Sequence, residues 1–98
     1  MTALGNFYPT QSGFVGTIET LSMLTEVEIE RAEKKHEKSP DFRIVTRLTG
    51  VDLGAAWERV SERGSRYLSV RMDDPVFPEP LACRLVQVGN AYRLVWSR

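Results

Sequence analysis

Several things are scarce in this chain, and each scarcity excludes something. One cysteine, Cys83, in 98 residues rules out an internal disulfide and suits a reducing compartment. A single histidine, His36, leaves one imidazole for any acid–base or metal chemistry. No apolar run approaches the roughly 20 residues that a membrane-spanning helix requires. The opening "MTALGNFYPT" has neither the basic start nor the apolar stretch of a secretory signal. A charge surplus is missing as well: thirteen Lys and Arg balance thirteen Asp and Glu. Domains that grip nucleic acid unselectively usually carry a basic excess, so this balance argues against strong attraction of that kind. There is no internal repeat and no low-complexity segment. Together these absences describe one cytoplasmic domain over residues 1–98, outside any membrane, with room for one modest core.

What is present is a succession of short alternating segments. Glycine, proline and polar pairs interrupt the sequence every eight to twelve residues or so, the spacing of an antiparallel all-β domain. "FVGTIETL" puts Phe14, Gly16, Ile18 and Thr20 on one side. "DFRIVTRL" separates Phe42, Ile44, Thr46 and Leu48 from Arg43, Val45 and Arg47, and "YLSVRM" turns Leu68, Val70 and Met72 inward. "SERGSR" and "GNA" read as short turns, with Gly64 supplying a positive φ. Residues 26–37 admit two readings. Glu, Lys, Ala and Arg there are good helix formers, whereas Val27 and Ile29 alternating with Glu26, Glu28 and Glu30 favour a strand running into a charged loop. The expectation is an all-β fold, a small antiparallel sheet of about seven strands curled into a partly closed barrel or sandwich. The three lysines, all within "RAEKKHEKSP", read as a flexible polar loop.

Three constellations invite a functional reading. In "RMDDPVFPEP", Asp73, Asp74 and Glu79 are close enough in sequence to suggest a cation or a shared proton. No calcium-loop spacing accompanies them, and Asp followed by Pro is ordinary turn chemistry, so the structural reading prevails and no metal or cofactor is expected. Catalysis lacks its parts. His36 stands alone in the lysine-rich stretch, Cys83 reads as a small buried hydrophobe, and no phosphate-cradling glycine loop exists. A non-enzymatic protein is expected.

The third constellation is the sharpest. Alternation turns outward Arg43 and Arg47, Trp57 and Arg59, Tyr67, Ser69 and Arg71, then Arg84 and Arg93. On neighbouring strands these residues make one face of guanidinium groups interleaved with rings, a mixture suited to single-stranded nucleic acid. Arginines also decorate solvated faces and pair with acids such as Glu58, and Trp57 has a place in the core as its alternative. The alternative function is a protein–protein module acting on a host or conjugation partner. The stiff "DDPVFPEP" loop would then present Val76 and Phe77, or exposed edge strands would pair into a homodimer.

The segments "GNFYPTQSGFVGTIETL", "SPDFRIV", "GAAWERVSERGSRYLSVRMDDPVFPEPLACRL" and "LVWSR" resemble the bacterial family catalogued as domain of unknown function 736, over nearly the whole chain. The resemblance implies a small proteobacterial protein, often carried on plasmids and integrative conjugative elements. It implies no reaction, cofactor or site residue. The stretch "TEVEIERAEKKHEKSP" departs from the family pattern in being more charged, and the arginine positions differ.

Overall fold

A computed structural model of the chain describes residues 2–20, 24–73 and 79–96. Eight strands account for most of them: β1 (Thr2–Pro9), β2 (Gly13–Glu19), β3 (Leu24–Arg31), β4 (Phe42–Thr46), β5 (Asp52–Val60), β6 (Arg66–Met72), β7 (Leu81–Val88) and β8 (Ala91–Trp96). Each strand pairs antiparallel with the next in sequence, and β8 returns to pair with β1, closing the sheet into an up-and-down barrel. The all-β, antiparallel reading therefore holds, with one strand more than expected and with closure complete. Residues 26–37 divide as the alternation suggested: β3 runs to Arg31 and a connection of irregular backbone follows. No helix is long and apolar enough to cross a membrane among the described residues.

Closure has one immediate consequence. A sheet whose first and last strands pair has no free edge, so dimerisation by edge pairing, one expectation from the sequence, is not available to this fold. The loop residues Val76 and Phe77, and the acid Asp74, lie outside the described residues.

The core is the inside of the barrel. Phe7, Ile18, Val27, Ile29, Ile44, Val70, Leu85 and Leu94 are all 2 % exposed or less. They come from seven different strands, each contributing alternate positions. Removing a ring such as that of Phe7 would cost about 3–5 kcal/mol. Gly16 faces the interior where Phe7 crosses it; a Cβ there would lie 2.6 Å from Cγ of Phe7, so only glycine leaves the ring its place. At the β5–β6 connection Gly64 adopts φ 84°, as the turn requires.

One inward assignment needs correction. Leu48 is 92 % exposed, because β4 ends at Thr46 and residues 47–49 turn. Leu53 packs against the core instead, because a register shift pairs Ile44 with Gly54 but Val45 with Asp52, leaving Leu53 as the extra residue of a bulge.

Because strand direction alternates, the connections after β1, β3, β5 and β7 share one end of the barrel. The longest of them, residues 32–41, is held down rather than left hanging. Asp41 Oδ1 accepts from Lys34 Nζ at 2.9 Å, and Asp41 Oδ2 accepts from the Glu58 backbone N–H at 2.9 Å. Lys38 O accepts from the Trp57 indole at 3.0 Å. The lysine-rich stretch thus folds against β5, in contrast to the free polar loop its composition suggested.

Candidate nucleic-acid interface

The outward residues of β4 to β8 fall into rows set by strand register. One row runs Arg43, Ala55, Arg71, Ala82; a second runs Trp57, Ser69, Arg84, Val95. Arg59 stands opposite Tyr67, and Arg93 opposite Val86. Adjacent strands lie about 4.8 Å apart, so neighbours in a row are one or two such steps from each other. Trp57 and Tyr67 both point outward and are half-buried, while the other six expected site residues are exposed arginines.

Electrostatic partners divide this set. Arg43 Nη2 lies 3.8 Å from Asp52 Oδ2, and Arg47 reaches Glu26 at 3.8 Å and Glu28 at 3.7 Å. These two arginines belong to the acidic flank, where β3 carries Glu26, Glu28 and Glu30 on its outer side. Exposed pairs of this kind contribute at most about 1 kcal/mol each, but they neutralise the charge that a phosphate would seek. Arg59, Arg71, Arg84 and Arg93 have no acidic partner within ion-pair distance among the described residues. Past Asp52 at its start, β5 turns no Asp or Glu outward, and β6, β7 and β8 carry none. The exterior is therefore divided: acids and their arginines on β2 to β4 and at the start of β5, unpaired arginines on the rest of β5 and on β6 to β8.

The two rings of the wall are partly engaged already. Trp57 is tethered through its N–H to the 32–41 connection, as described above, and the Arg84 guanidinium lies 5.1 Å from the Tyr67 ring centroid. Such a cation–ring contact orients the arginine across the wall. Arg59 is oriented too, donating from Nη1 to its neighbour's carbonyl, Glu58 O, at 3.0 Å.

Glu58 itself is not the exterior acid that the sequence suggested. Its position alternates with Trp57 and Arg59, which turns it toward the barrel mouth, where its carboxylate lies 3.5 Å from Arg31 Nη1. Around this ion pair opens a pocket of about 490 Å³, floored by Phe14, Phe42, Leu85 and Tyr92 and rimmed by Arg31, Arg59 and Arg66. Sequence reasoning missed it. Its residues come from seven strands and meet only when β8 closes onto β1. The available signal was an aromatic residue at the same end of three strands, Phe14, Phe42 and Tyr92, read with the up-and-down order.

Other candidate groups are quieter. Cys83 is buried, and desolvation pushes its thiol up to about 12, which keeps it protonated and a poor nucleophile near neutrality. Among the described residues no three His, Cys, Asp or Glu side chains converge as a metal site needs. His36 is exposed, and its backbone N–H donates to Ser39 Oγ at 3.0 Å.

Fold and exterior together define the class: a small, closed antiparallel β barrel with an outer wall divided by charge. Within that class the chain belongs to the family described as protein of unknown function (DUF736), whose model matches residues 3–98. Neither a curated protein nor a solved structure matches it. The family description names no reaction and no ligand.

Proposed function

We propose that this protein is a non-enzymatic, cytoplasmic binding module that holds single-stranded nucleic acid along the outer wall of β5 to β8. One observation carries the reading: Arg59, Arg71, Arg84 and Arg93 share that wall with Trp57 and Tyr67, and the one acid the strands turn outward there, Asp52 at the start of β5, is taken up by Arg43. Guanidinium groups take phosphate oxygens in a bidentate fork, and rings offer a face to any base, so the contact needs no sequence readout. A neutral protein attracts nucleic acid weakly over distance. Local division of its charge restores the attraction at one surface while the acids of β3 repel the strand from the other. Arg43 and Arg47 are left out of the interface because their carboxylate partners would have to be displaced first.

The test is a titration of a fluorescein-labelled single-stranded oligonucleotide by anisotropy at several salt concentrations. Four arginine–phosphate contacts give a log–log slope near about −3, hence roughly a fiftyfold loss of affinity between 50 and 200 mM salt. Arg71→Ala and Arg84→Ala should each flatten the slope by about 0.7, whereas Arg43→Ala should leave it unchanged. Absence of binding at the lowest salt, or binding indifferent to salt, overturns the reading and leaves a protein partner as the occupant of the wall.

A further inference from the structure

We infer that the mouth of the barrel is a separate binding site for a compact, flat aromatic molecule carrying one anionic group. An eight-stranded barrel is just wide enough for its interior to be filled by side chains or to hold one small ligand. This barrel does both. Through its middle, Phe7, Val27, Ile29, Ile44, Val70 and Leu94 leave nothing open to solvent. At the end bearing the 32–41 connection the filling stops short, and the pocket of about 490 Å³ remains, within the range of ordinary small-molecule sites.

The lining specifies the ligand's chemistry. Phe14 meets Tyr92 edge-on at 4.7 Å and leans on Phe42 at 6.1 Å, so three rings from three strands form an open corner rather than a closed stack. A planar aromatic body seated there makes ring contacts that an aliphatic body of equal area lacks. A long acyl chain is excluded because the barrel below is already packed. The Tyr92 hydroxyl, with no hydrogen-bond partner among the described residues, offers the floor's polar handle.

The rim specifies the charge. Arg31, Arg59 and Arg66 face one carboxylate, Glu58, which leaves two positive charges uncompensated around the opening. Arg31 is also held across the Phe42 ring at 4.7 Å, so its guanidinium sits directly at the border between apolar floor and solvent. An anionic group at that border joins Arg66, which has no acidic partner within ion-pair distance among the described residues, while the attached rings reach Phe14 and Tyr92. None of this requires the outer wall to bind anything.

Two dyes of nearly the same shape test the site: anilinonaphthalene sulfonate and its uncharged relative, N-phenyl-1-naphthylamine. The expected result is saturable, one-to-one fluorescence enhancement with both, the sulfonate binding more tightly. Amide resonances of Phe14, Arg31, Phe42 and Tyr92 should shift on addition of the sulfonate, and those of Arg71 and Ala82 should not. Arg66→Ala, an exposed change that leaves the core untouched, should weaken the sulfonate about three- to tenfold and leave the neutral dye unaffected. Arg43→Ala should change neither. Shifts spread over the outer wall, no saturation, or equal loss for both dyes in Arg66→Ala would overturn the inference. Arg59 and Tyr67 border both the mouth and the wall, so oligonucleotide binding is read through Arg71 and Arg84, which lie outside the mouth, and either result stands without the other.

Discussion

Cys83 faces into the barrel from β7, and its burial raises the thiol from 9.0 to about 12. The sign of the consequence follows from proton linkage. The folded state keeps a proton that the unfolded chain releases, so stability is undiminished below pH 9.0 and declines as pH rises toward about 12. Ellman's reagent at pH 8 should therefore leave the native protein unlabelled and react once urea unfolds it. Rapid labelling without denaturant would show that the thiol is not enclosed. This residue was readable in advance, because alternation alone put Cys83 on the side of Leu85. Leu53 was not readable: a bulge obeys the register of two strands at once, and no single-strand pattern announces it. Arg43 and Arg47 were correctly turned outward by alternation, but their acids come from Asp52 and from β3, partners that only strand order supplies.

The connection of residues 32–41 shows how one side chain anchors an element. Asp41 receives the Lys34 ammonium and the Glu58 N–H, and these bonds, the lysine's first, lower its pKa below 3.8. A carboxyl lowered by folding contributes stability that is complete above 3.8 and lost as pH falls through its depressed value. Asp41→Ala should destabilise the protein by about 1–2 kcal/mol at pH 7 and make the acid limb of the stability profile shallower, as read by urea unfolding between pH 2 and 7. An unchanged midpoint would mean that the connection is not clasped in solution. Composition pointed to a free loop here, since Lys, Glu and Ser are the residues of solvated segments. What composition does not contain is the position of Asp41, placed where β4 begins and within reach of the β5 backbone. The strand that precedes it was legible for a simple reason. Three glutamates separated by Val27 and Ile29 keep a period of two, and a helix would have scattered those acids around its circumference.

At the scale of the whole molecule, the sequence-legible part is the list of strands and the illegible part is what meets across the closed barrel. Hairpins between successive strands can be read from turns; the seam between β8 and β1 cannot, and the mouth pocket and the division of the outer wall both depend on it. That seam has an engineering consequence. Residue 2 is the register partner of residue 96, so the first strand begins beside the end of the last, on the same rim. A short glycine–serine bridge joining them should be strainless, and the cycle can then be cut elsewhere, for instance beside the fully solvated Leu48. Such a circular permutant should show the parent's far-ultraviolet circular dichroism and a cooperative thermal transition. A chain that stays unfolded after this rewiring would mean that the order in which strands are joined, and not only their ring-like arrangement, decides the fold.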